Sequence, residues 1–160
     1  GARRRAGWLA RLAGDASAPP WVRGYACTGL GLLGAHGHRD ALVGCLEEGA
    51  SVDLRRDAAT ALGLLGGAGE ALRAAFGTAV DPGELGELAV ALGRARPQGL
   101  AEEMALLLAD PSQPLPRRVA AAHVLGAAAD PRGTATGARL AGLLAYREWI
   151  PGLHDVMRLP

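Results

Sequence analysis

The chain has 160 residues, of which 49% are hydrophobic but only 4% aromatic, and its formal net charge is +1. A core of that composition has to be built from Leu, Ala and Val, which suits helices packed on helices better than a sheet sandwich, and the length suffices for one domain. A charge this close to zero excludes a global field that would draw in nucleic acid or an anionic membrane, and no run reaches the roughly 18 uninterrupted apolar residues of a membrane span.

Taken in order, the chain opens with a helical pattern over residues 3–14 in which Trp8, Leu9 and Leu12 have the spacing of a buried stripe. Ala18-Pro19-Pro20 stops that helix and sets the entry of a second one near Trp21. The second helix carries VRGYACTGLGLLG at Val22–Gly34, and relatives of it return as LRRDAATALGLLG at Leu54–Gly66, ELGELAVALGRAR at Glu84–Arg96 and RRVAAAHVLGAAA at Arg117–Ala129. Aligned on the steps Leu30-Gly31, Leu62-Gly63, Leu92-Gly93 and Leu125-Gly126, the period is about 32 residues, which marks a stacked repeat array.

The aligned columns behave as faces of a helix. Counting back from the Leu of each step, the eighth position is Val22, Leu54, Glu84 and Arg117, the fourth is Ala26, Ala58, Leu88 and Ala121, and the position just before is Gly29, Ala61, Ala91 and Val124. These lie on one side of a 3.6-residue helix and are expected to be buried. Small residues between the leucines let neighbouring backbones approach closely, so each unit gains area from both flanking units.

Between units, Gly34 to Gly37, Gly66 to Gly69, Pro97 to Gly99 and Asp130 to Gly133 break the helices, and first helices follow near Arg39–Glu48, Gly69–Thr78, Leu100–Ala109 and Ala135–Tyr146. Each inner turn carries an acid, Asp15, Asp53, Asp81 or Asp110, placed to cap the following helix or to meet the arginine of its unit. The longest of these turns, Asp110–Pro116, is proline-rich and reads as a stiff surface loop. Cys27 and Cys45 fall on successive helices and read as small buried side chains, not as a disulfide. Units at about 3–34, 38–66, 69–96 and 99–129 are followed by a half unit at 134–146 and an apolar tail at 147–160, expected to cap the open end, all in a single domain spanning 1–160.

The pattern resembles HEAT repeats, in particular the short bacterial variety first recognised in phycobilin lyase-like proteins, whose second helix reads VR..AA.ALG.LG. The residues that carry the likeness are Val22-Arg23 with Leu30-Gly31-Leu32-Leu33-Gly34, then Leu54-Arg55 with Ala58-Ala59 and Ala61 to Gly66, and more loosely Arg117-Arg118 with Ala120 to Ala122 and Leu125-Gly126. The resemblance implies an all-α fold, an α-α superhelix of about four helix pairs plus a terminal half repeat. It also implies a structural role for Arg23, Arg55 and Arg118, which in the family commonly pair with turn acids of adjacent repeats. The third copy departs from the pattern, with Leu85 in the arginine column and Glu84 and Glu87 around it.

For chemistry the sequence offers little. No P-loop and no Cys-x-x-Cys pair is present, and His36-Gly-His38 with Asp40 lacks a defined third metal ligand. The histidines are not followed by the glutamates that iron-binding helical-repeat hydroxylases use. Trp8, Trp21 and Arg3 to Arg5 make at most a small basic patch, so a nucleic-acid channel of the helical-repeat glycosylase kind is disfavoured. No catalytic, cofactor-binding or metal-binding residue is therefore expected, and the chain reads as a soluble, non-catalytic interaction scaffold or an appended module of a longer protein, with the cytoplasm slightly favoured. A small-ligand or chromophore carrier of the lyase-like type is the alternative. The strip expected to meet a protein or peptide partner comprises the positions six and two before the reference Leu: Gly24, Thr28, Arg56, Thr60, Val90 and His123, together with Gly86 and Val119.

Overall fold

The computed structural model describes residues 1–47 and 51–129 of the chain. Those residues form eight α-helices and no strand: α1 (Ala2–Gly14), α2 (Pro20–Leu32), α3 (Arg39–Glu47), α4 (Val52–Leu65), α5 (Gly69–Thr78), α6 (Pro82–Ala95), α7 (Leu100–Ala109) and α8 (Leu115–Ala129), with a single 3-10 turn at His36–His38. Among the described residues the all-α expectation holds, and α5 and α7 have the limits expected of them, Gly69–Thr78 and Leu100–Ala109. The half unit at 134–146 and the tail at 147–160 lie outside the described residues. Among the described residues no helix is long and apolar enough to cross a membrane.

Packing follows chain order. Each odd helix lies on the even helix after it, and the even helices lie side by side, α2 on α4, α4 on α6 and α6 on α8. Their shared seam holds Leu30, Leu54, Leu62, Leu88, Leu92 and Val124, all fully buried, with Leu42, Leu72 and Met104 supplied by the odd helices. Leu, Ala and Val dominate this core as the composition requires, and Phe76 is its aromatic member among the described residues. Trp8 departs from expectation. It stands 56% exposed while Ala6 and Ala13 take the buried positions of α1, with Leu9 and Leu12 partly buried beside them.

The Leu-Gly step has a specific geometric cause. A Cβ added to Gly31 would stand 2.8 Å from Ala61 Cα, and one on Gly63 would stand 3.1 Å from Ala91 Cα. At Gly93 the same atom would meet Val124 O at 2.8 Å. These glycines lie inside helices and serve contact between backbones, whereas Gly34 and Gly66, four residues after their reference leucines, hold φ of 62° and 68°. At the equivalent position of the third unit stands Arg96, with φ of 47°, a left-handed conformation that a side chain disfavours.

Polar residues on the buried side find partners across helices. Arg55 grips Glu84, Nε to Oε1 at 2.7 Å and Nη2 to Oε2 at 3.0 Å, joining α4 to α6 with the carboxylate only 1% exposed. That forked pairing raises the Arg55 pKa above its already high ordinary value. Arg117 Nη2 reaches the carbonyls of Phe76, Gly77 and Ala79 at 3.2, 2.7 and 3.0 Å, covering oxygens left open at the end of α5. Glu84 and Arg117, the two charged members of an otherwise apolar column, are thus each held by the preceding unit.

The arginine column also ties the two helices of a pair together. Arg23 Nε donates to Ala13 O at 2.8 Å and Arg118 Nε to Leu108 O at 3.0 Å, each ten residues back on the first helix of its own pair. The acids of those two turns close their own loops. Asp15 Oδ1 accepts from Ser17 N and Oγ at 2.9 and 2.6 Å, and Asp110 Oδ1 accepts from Ser112 N and Oγ at 2.9 and 2.7 Å. The serine hydroxyls, first among the causes, hold both carboxyls below the usual carboxylate range. Only Asp81 caps a helix, accepting from Glu84 N at 2.8 Å, while Ser51 does so for α4 in place of Asp53.

Cys27 and Cys45 are buried and free. Cys45 Sγ donates to Ala13 O at 3.5 Å, and a hydrogen bond to Cys45 followed by burial pushes the Cys27 thiol far above the ordinary thiol range. Both are inert packing residues at neutral pH.

Candidate functional site

The side of the even helices turned away from the seam carries a cleft of about 320 Å³ lined by Trp21, Tyr25, Asp53, Arg56, Asp57, Thr60 and Glu87. Its walls follow from helix register. Pro20 in the first turn of α2 fixes where that helix starts, so Trp21 and Tyr25, four residues apart, stack on one face. Ser51 fixes the start of α4, and Asp53, Asp57 and Thr60 fall on the matching face. Asp81 and Pro82 start α6 and place Glu87 opposite.

The aromatic wall is exposed. Trp21 is 63% and Tyr25 71% accessible, and their rings meet edge to face with centroids 6.0 Å apart at 78°. The floor is charged. Asp57 sits over Gly24 so closely that a Cβ there would meet its carboxylate unless the Asp57 side chain moved. Thr60 Oγ1 lies 3.0 Å from both Arg56 O and Glu87 Oε2 and can donate to either, bridging α4 to α6 across the cleft. Arg56 Nη1 stands 3.8 Å from Asp53 Oδ1. Partial burial, with Asp53 and Glu87 nearby and Arg56 opposing, raises the Asp57 pKa above the ordinary carboxylate value.

Of the strip expected from sequence, the cleft brings together Arg56 and Thr60. Gly24 and Val90 do not point away from the apolar side as expected: Gly24 is buried beneath Asp57, and Val90 is only 8% exposed. Thr28 and His123 are half-buried on α2 and α8, outside the cleft lining. The error is one of register. The open face is centred on the columns nine and five before the reference Leu, which hold Trp21 and Tyr25, Asp53 and Asp57, and Glu87, while the sixth column is mixed, with Gly24 buried, Arg56 in the cleft and Val119 41% exposed. Tyr25, Asp57 and Glu87 in the fifth column were the available signal, since that column is aromatic or acidic in three copies beside apolar neighbours.

His36 is exposed, with Nδ1 3.2 Å from Arg39 Nη2. Among the described residues no three His, Cys, Asp or Glu side chains gather as a metal site. Neither a comparison with protein-family models nor one with curated proteins finds a match.

Proposed function

We propose that the chain is a HEAT-like α-α superhelix that acts, without catalysis, as a protein-interaction scaffold or an appended repeat module, and that its partner docks on the open face of the even helices. The repeat period and the ordered packing of α2, α4, α6 and α8 support the architecture. One observation carries the function: the cleft exposes two large aromatics beside charged groups on three successive repeats, in a chain whose aromatics are few. Exposed Trp and Tyr are the side chains most often found at the centres of protein interfaces.

A small-ligand or chromophore carrier is served less well by this cleft. Its volume is at the floor of the range for a ligand pocket, and six of its seven lining residues are charged or carry a hydroxyl where such pockets are mostly apolar. Nucleic acid would meet the carboxylates of Asp53, Asp57 and Glu87 on the same face.

The reading is tested by affinity capture from a native lysate with the wild-type chain, the double variant Trp21→Ala/Tyr25→Ala and a control variant at an exposed residue of α7 outside the cleft lining, Leu106→Ala. Partners held by the wild type and the control but lost by the double variant are the expected result. Capture unaffected by the double variant would place the interaction elsewhere or remove it.

A further inference from the structure

We infer that the cleft between α2, α4 and α6 is an arginine-anchoring site, and that the partner is a protein segment that inserts a guanidinium between the Trp21 and Tyr25 wall and the carboxylates of Asp57 and Glu87. This rests on the docking face proposed above and names the chemistry of its occupant.

The argument begins with what the aromatics are not doing. Four of the chain's aromatic residues fall in the described part, and only Phe76 is buried. Two of the other three line the same cleft, with ring surface open to it. A cation over the face of Trp or Tyr is attracted by the ring quadrupole, and a guanidinium adds planar stacking that an ammonium lacks.

Charge complementarity points the same way. Three carboxylates and one guanidinium line the cleft, so its own groups sum to −2. The lone cation, Arg56, is drawn to one side: it lies near Asp53, and its Cζ stands 3.3 Å from where a Cβ on Gly83 would be, at the start of α6. Thr60 Oγ1 lies within hydrogen-bond reach of one oxygen of Glu87 only, which leaves the other oxygen open, and Asp57 accepts no hydrogen bond from any described residue. Two carboxylate acceptors and two exposed aromatic side chains therefore line one open space. A carboxylate can receive the two parallel N–H groups of arginine, a fork that fixes direction as well as charge. The volume admits one anchoring side chain and not a whole helix.

Fluorescence polarisation with a fluorescein-labelled Gly-Ser peptide carrying spaced arginines tests the inference, with lysine and citrulline versions of the same peptide as controls. The arginine peptide should bind the intact chain, the lysine version should bind about fivefold more weakly, and the neutral citrulline version should lose binding. Asp57→Asn and Trp21→Ala should each weaken the arginine peptide by about tenfold, while Glu102→Gln on α7 leaves it unchanged. Equal binding of the citrulline peptide, or binding indifferent to both cleft variants, would overturn the proposal. Self-association abolished by Asp57→Asn would support the anchor and identify its occupant as the exposed Arg3 to Arg5 of a second copy. If the peptides fail while Trp21→Ala/Tyr25→Ala still loses captured partners, the arginine anchor falls and the scaffold stands. If captured partners ignore the cleft, the scaffold reading falls with it.

Discussion

Helix α4 has two sides made under different constraints. On the seam side Leu54, Ala58, Ala61 and Leu62 have no accessible surface, and Gly63 lets the backbone of α6 come within contact of its own. On the cleft side Asp53, Asp57 and Thr60 face an open space bounded by residues of two other helices. The seam side is fixed by volume, because protein interiors are packed to crystal-like density and an added or missing methylene is felt at once. The cleft side has no such constraint, so acids and exposed rings are tolerated there at little cost to packing. Function in such an array is therefore to be sought where the repeat columns stop being interchangeable.

Substitutions on the two sides should separate them by size of effect. Leu62→Ala, at the fully buried centre of the seam, should cost about 3–5 kcal/mol in chemical denaturation, since the cavity lies between three helices and cannot collapse easily. Gly63→Val should cost about 1–3 kcal/mol by pushing α4 and α6 apart, and a loss below about 0.5 kcal/mol would mean that the backbones are not held in contact. Arg96→Gly, which replaces a strained left-handed residue by the glycine found in the first two repeats, should raise stability by about 0.5–1 kcal/mol, read as a higher denaturation midpoint.

The smallest effect belongs to the cleft floor. Because the folded-state pKa of Asp57 is raised, its ionised form opposes folding at neutral pH, and that penalty is relieved as pH falls through the folded pKa. Asp57→Asn should therefore gain a few tenths of a kcal/mol at pH 7, a figure kept small by solvent screening at a half-exposed group. The variant and the wild type should converge below about pH 4. A loss of stability in Asp57→Asn at neutral pH would show that the carboxylate supports the fold and is not held in reserve for a cation.

Much of the scaffold was legible beforehand, and the misses share a cause. Pro20, Gly66 and Pro82 act on their own stretch of backbone, so helix limits could be read from composition alone, and the fourfold column of Ala26, Ala58, Leu88 and Ala121 named the buried side without reference to any neighbour. The misread residues are those whose environment is made by another helix. Gly24 looked like an open position and is buried because Asp57, thirty-three residues later, lies over it. Trp8 looked like core and is exposed, because Ala6 and Ala13 turn a different edge of α1 inward.

By itself the sequence determined the helices, their order and the side each buries, because propensity, helix-breaking residues and 3.6-residue periodicity act within one turn or two of the chain. Tertiary structure alone decided which columns of the remaining surface meet across α2, α4 and α6. That depends on the rotation of each helix against the next, set by how closely Gly31, Gly63 and Gly93 let the backbones approach. Which residues line the cleft is therefore fixed only once the helices are packed.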